Sequence, residues 1–242
     1  MKKGNLHHIY WKRILKSAVF FTLAMVVGCA TSGSKTTEQT SADESARIAV
    51  SQPMVIPKNV KVALFFGKIE PRKGVMTLIR AFARIIDQVP EAFLYIVGKV
   101  FEDVGPYFEE IKHLNLGNRV KFRNEYIPLE EIPTLFAYAD VFVAPYLDGW
   151  NSGAIATAFA HAKPVIASNI GGFSEVIEHG QSGLLVAPGD EKELAEAITC
   201  ILKDNELRRR MSEEARIEGE KHSWAQIAKK IEDVYLSVIS ST

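Results

Sequence analysis

From residue 60 onward the sequence alternates short apolar runs with amphipathic stretches, and this alternation constrains the fold more than any other feature. A run of four to seven residues that is apolar along its whole length suits a strand covered on both faces, as in a parallel sheet. The strand candidates are 60–66, 92–97, 120–123, 141–144, 164–167 and 183–186. Between the first two, Val75, Leu78, Ile79, Phe82, Ile85, Ile86 and Val89 recur at helical spacing, so one face of a helix there packs on the sheet. Segments 107–114, 129–138, 153–162 and 173–178 supply the other crossovers. The expected fold class is α/β: a single doubly wound parallel sheet, Rossmann-like, with helices on both faces. Helices are also expected over 191–203, 206–221 and 224–238. In the first of these Cys200 lies among Leu194, Ala197, Ile198 and Ile201, and is expected to be a small core residue.

Residues before 58 read differently. Lys2, Lys3, Lys12, Arg13 and Lys16 precede an apolar run from Ser17 to Gly28 that ends at Cys29, the layout of a secretory signal. The run is shorter than the roughly 20 residues of a membrane-spanning helix. Its ending, Val26-Val27-Gly28-Cys29, resembles the lipobox of bacterial lipoproteins, which implies lipidation of Cys29 after cleavage before it. The alternative is an uncleaved N-terminal anchor with an incidental cysteine. Either way the segment associates with a membrane and places the rest of the chain outside the cytoplasm. Residues 30–57 are largely polar and small, with no aromatic side chain, and read as a flexible tether. The expected organisation is therefore a signal segment at 1–29, the tether at 30–57 and one domain at 58–242.

Charge excludes one class of partner. The 242 residues carry 29 basic and 29 acidic side chains, so no global field favours nucleic acid, and any anion site is local. In a parallel sheet that site lies beyond the carboxyl ends of the strands. After the first strand, Gly67-Lys-Ile-Glu-Pro-Arg-Lys-Gly74 brings Lys68 and Lys73 near each other just ahead of a helix. Fixed ammonium groups there suit a diphosphate leaving group, although loop lysines are also common as solvated surface charges. The glycine and Gly-Lys-Ser/Thr spacing of a P-loop is absent.

After the fourth strand, Asn151-Ser152-Gly153 opens a helix of small residues, whose free amides and dipole suit phosphate oxygens. An ordinary capped helix start fits the same residues. After the fifth, Gly171-Gly172 precedes Glu175, allowing close ligand approach or simply a turn with positive φ.

Taken together with Gly180-Gln-Ser-Gly-Leu-Leu-Val-Ala-Pro-Gly-Asp190 and the closing His222-Ser-Trp224, these loops resemble, in order and spacing from about residue 58 to 238, the C-terminal domain of group 1, family-4-type retaining glycosyltransferases. The resemblance implies the C-terminal half of a GT-B fold and transfer of a hexosyl group, with retention, from a nucleoside diphosphate sugar. By the same resemblance Lys73 and Lys68 grip the donor diphosphate, Lys68 standing where arginine is usual, which keeps the charge and loses the planar fork. Gly67 belongs to the same donor loop. Asn124, Glu125 and Tyr126 fall where the family contacts the nucleobase, mostly through backbone. Asn151, Ser152, Gly153, Thr157, Gly171, Gly172 and Glu175 complete the implied donor side.

One departure stands out: the family commonly carries two glutamates eight positions apart, and here those positions are Gly149 and Thr157. A subset of similar transferases has a Ser-Gly pair at the helix start, as this chain does. No cofactor and no metal are expected, since no Asp-x-Asp occurs and the six histidines lack zinc spacing. His161 is expected on the surface. The partners implied are a nucleoside diphosphate sugar and a separate acceptor-binding domain or subunit. The signal segment conflicts with this role, because nucleotide sugars are made in the cytoplasm. The competing readings are a membrane-tethered nucleotide-sugar-binding module without turnover and, behind it, a sugar-nucleotide epimerase of the same fold.

Overall fold

The computed structural model describes residues 57 and 59–240. The expectations for the signal segment, for Cys29 and for nearly all of the tether lie outside the described residues. Six strands form one parallel sheet: β1 (Lys61–Phe66), β2 (Ala92–Val97), β3 (Val120–Arg123), β4 (Val141–Ala144), β5 (Val165–Ser168) and β6 (Gly183–Val186). Their order is β3-β2-β1-β4-β5-β6. The central strands are buried along nearly their whole length, β2 at all six positions, which is why they read as continuous apolar runs. The edge strand β3 is half-buried throughout.

The crossovers are α1 (Val75–Ala83), α2 (Gly105–His113), α3 (Ile132–Tyr138), α4 (Gly153–Ala160) and the short α5 (Phe173–Val176). After β6 come α6 (Glu191–Lys203), α7 (Asn205–Lys221) and α8 (Trp224–Ser240). Helix α6 is capped by Asp190, whose carboxylate accepts from the amides of Lys192 and Glu193, both at 2.9 Å. Asp140 joins α7 to the bottom of the sheet: it accepts from Val62 N at 2.8 Å and pairs with Arg208 at 3.3 Å.

Three expectations need correction. Helix α1 ends at Ala83, where the periodicity suggested a helix running to residue 89. Arg84 N and Ile85 N bond to Ala81 O and Phe82 O, three residues back, and Pro90 disfavours helix just ahead of it. Ile85 and Val89 are buried all the same, so their spacing reported burial rather than helix. Helix α4 stops at Ala160 because Ala162 adopts φ 53°. Ala162 N then bonds Phe159 O and Lys163 N bonds Ala158 O, a Schellman end built without glycine. Cys200 is exposed and not a core residue. The buried stripe of α6 is Leu194, Ala195, Ala197, Ile198, Ile201 and Leu202, and position 200 falls on the opposite side of a 3.6-residue turn.

Candidate functional site

Strand order reverses between β1 and β4, and the loops that follow these two strands form the crevice where a doubly wound sheet binds ligands. The loop after β1 contains a 3₁₀ turn, Pro71–Lys73, closed by Gly74 at φ 66°. It is fixed to the loop after β4 by Leu147 N, which donates to Arg72 O at 2.8 Å. Contact is closer still at Gly74, where a Cβ would lie 1.9 Å from Pro145 O.

Lys73 projects from this turn, its Nζ 3.7 Å from the centroid of the Tyr146 ring. Partial burial, followed by repulsion from Arg72, lowers its pKa from 10.5 to about 8; Glu70 opposes the shift and Lys68 adds to it. The Glu70 carboxylate is itself paired with Arg72 at 2.5 Å. Tyr146 is 2% exposed, and burial pushes its phenol pKa upward. Its hydroxyl lies 3.0 Å from Ser152 Oγ. Ser152 is the N-cap of α4, accepting from Ile155 N at 3.4 Å. Sequence reasoning missed Tyr146; the available signal was an aromatic residue directly after the proline that ends a buried strand.

Lys68 is exposed and sits 5.3 Å from the ring centroid of Phe101, in the loop after β2. The two lysines therefore flank the β1 loop, Lys68 on the β2 side and Lys73 on the β4 side. Gly67, at the end of β1, donates its amide to Val97 O at 3.0 Å.

In the loop after β3, polar side chains are occupied by the protein itself. Asn124 Oδ1 accepts from Val100 N at 2.9 Å, and Arg123 binds the carboxylates of both Glu125 and Glu131. Tyr126 is 68% exposed, its ring edge-on to Phe101 at 6.3 Å.

At the start of α4, Asn151 and Gly153 are exposed, and a Cβ at Gly153 would meet nothing within 4 Å. Thr157 Oγ1 donates back to Gly153 O at 2.8 Å, so its hydroxyl lies toward the helix start. Gly171 has φ 48°, and a Cβ there would lie 2.4 Å from Gly149 O and 2.8 Å from Trp150 Cα. Packing between the β4 and β5 loops thus requires this glycine before any ligand is considered, and Gly172 N completes the contact by donating to Trp150 O at 3.2 Å. Glu175 is exposed on α5. From Asn151 and Gly153 a largely apolar groove of about 750 Å³ runs along α4 to Trp224 and Ile227 on α8. His161 is half-buried, with its ring stacked on Phe136 at 5.1 Å.

This arrangement has relatives. The chain is 35% identical over 190 residues to the Bacillus subtilis (strain 168) protein YtcC, covering 74% of this chain and 46% of that protein. It is 29% identical over 191 residues to the D-inositol 3-phosphate glycosyltransferase of Corynebacterium glutamicum (strain R), covering 77% and 46%. Among solved structures, Anabaena Alr3699/HepE in complex with UDP superposes with a TM-score of 0.68 at 29% identity, covering 74% of this chain and 49% of that one. The C-terminal domain of Francisella tularensis LpcC shares the fold, with a TM-score of 0.62 at 21% identity over 67% of this chain and 85% of that domain. The chain spans about half the length of the curated relatives it matches. The model of the family described as glycosyl transferases group 1 matches residues 47–218, well over half of the sequence. On that match, and on a six-stranded parallel sheet of the GT-B kind, the chain belongs to the group 1 glycosyl transferases.

Proposed function

We propose that the loops after β1 and β4 bind the diphosphate of a nucleoside diphosphate sugar, and that the domain supplies the donor side of hexosyl transfer with retention. The observation that carries this reading is the partly buried Lys73 ammonium, joined through Tyr146 to the N-cap of α4 at the sheet's switch point. As the bond from the sugar C1 to the diphosphate oxygen breaks, its electron pair moves onto the diphosphate. Ammonium groups at Lys73 and Lys68 and the free amides at the start of α4 stabilise that charge. The acceptor hydroxyl forms the new bond to C1 and passes its proton to the departing diphosphate oxygen. On this reading no metal is needed. The UDP complex of Alr3699/HepE, similar over 74% of this chain, supports a uridine donor.

A second reading has the domain bind the donor without turnover; the chain matches about half of each relative's length. Calorimetric titration of the full chain with UDP, GDP and their hexose conjugates tests the shared premise. Saturable binding to one nucleotide supports it, and absence of binding to all of them abandons both readings.

A further inference from the structure

We propose that Tyr146 is a positioning residue that joins the two anion-facing devices of the switch point, its ring seating the Lys73 ammonium and its hydroxyl seating Ser152 at the start of α4. The proposal rests on the donor-site reading above and deepens it.

The ammonium of Lys73 lies 3.7 Å from the Tyr146 centroid, well inside the range of a cation–π contact. The charged groups that act on it are Arg72, Glu70 and Lys68. Among the described residues Glu70 is the carboxylate that acts on Lys73, and it is engaged by Arg72. A carboxylate partner would neutralise the ammonium and would have to be displaced by an incoming phosphate. An aromatic face holds the cation by its quadrupole and leaves the charge and the N–H donors available.

The seat is rigid. Tyr146 is 2% exposed, packs edge-on against Phe173 at 5.5 Å, and is followed by Leu147, whose amide is bonded to Arg72 O. The β1 turn that carries Lys73 and the β4 loop that carries Tyr146 therefore move together. The hydroxyl extends the same linkage to Ser152 Oγ at 3.0 Å, one residue ahead of the first turn of α4. One side chain thus fixes the position of a cation relative to a helix N-terminus.

The test combines lysine spectroscopy on the ligand-free full chain with UDP titration. In ¹³C-lysine-labelled protein, the ε-methylene signal of Lys73, identified by its loss in Lys73→Ala, is expected upfield of the other lysines because it sits over a ring. Tyr146→Phe keeps the ring and removes the hydroxyl, and should retain the upfield signal while losing about threefold in UDP affinity with the Ser152 contact. Tyr146→Leu should lose the signal and weaken UDP binding about tenfold, yet in a Lys73→Ala background add no more than the roughly threefold that belongs to the hydroxyl. The proposal is overturned by an unshifted Lys73 signal in the wild type, a result that needs no folded Tyr146→Leu. It is equally overturned by a Tyr146→Leu loss of similar size with and without Lys73. In both of those cases wild-type binding of UDP would leave the donor reading standing; a wild-type chain that binds no UDP would remove the donor reading and the role of the seat together.

Discussion

A Cβ on Gly74 would lie 1.9 Å from the carbonyl oxygen of Pro145, so the loops after β1 and β4 touch through backbone where any other residue would force them apart. This contact sets the width of the switch-point crevice and holds Lys73, the preceding residue, against Tyr146.

Gly74→Ala is accordingly expected to destabilise the domain by about 2–5 kcal/mol, combining the left-handed backbone penalty with displacement of a packed neighbour. Urea unfolding measures this. A midpoint equal to wild type would show that the two loops are not in this contact.

Lys73 provides a pH signature. Its pKa, lowered to about 8, means that the ammonium is present below that pH and is lost above it. A bound diphosphate favours the charged form, so UDP affinity should fall as pH rises above about 8, by up to roughly tenfold per unit. In Lys73→Ala the decline should disappear. A wild-type affinity that is flat from pH 7 to 9.5 would take Lys73 out of the site.

The end of α4 is strained at Ala162, a non-glycine residue at φ 53°. Ala162→Gly should stabilise the domain by about 0.5–1 kcal/mol, the left-handed penalty relieved less the added freedom of glycine in the unfolded chain. Denaturant titration that shows a loss of stability would contradict the Schellman end.

The reading of Cys29 is tested by fractionation. Cys29→Ser is expected to release the chain from membranes, and continued membrane retention would favour an uncleaved anchor instead.

The centre of the sheet was legible because its strands are buried on both faces: β2 and β4 start and end where the apolar runs do. Helix ends were less so, since hydrophobic spacing reports which residues face the core and not how the backbone turns, as Ile85 and Val89 illustrate. The same limit misplaced Cys200, whose apolar neighbours belong to the other side of α6. In the site, lysines and glycines stand out in a sequence, but their surroundings do not. Nothing local to Gly171 reveals that Gly149 and Trp150 lie against it. Tyr146 reads as one more core aromatic until the fold brings Lys73 over its ring and Ser152 to its hydroxyl. Conversely Asn124 and Glu125, polar and adjacent to the expected base-binding loop, spend their side chains on Val100 N and Arg123.

The most direct test of the central claim, that the β1 and β4 loops form a diphosphate site, is calorimetric titration of UDP into the full chain and into Lys68→Ala/Lys73→Ala. Saturable wild-type binding is expected, weakened in the double variant by about 1.5–3 kcal/mol for each charge-assisted contact removed. Equal affinity in the two proteins would contradict it.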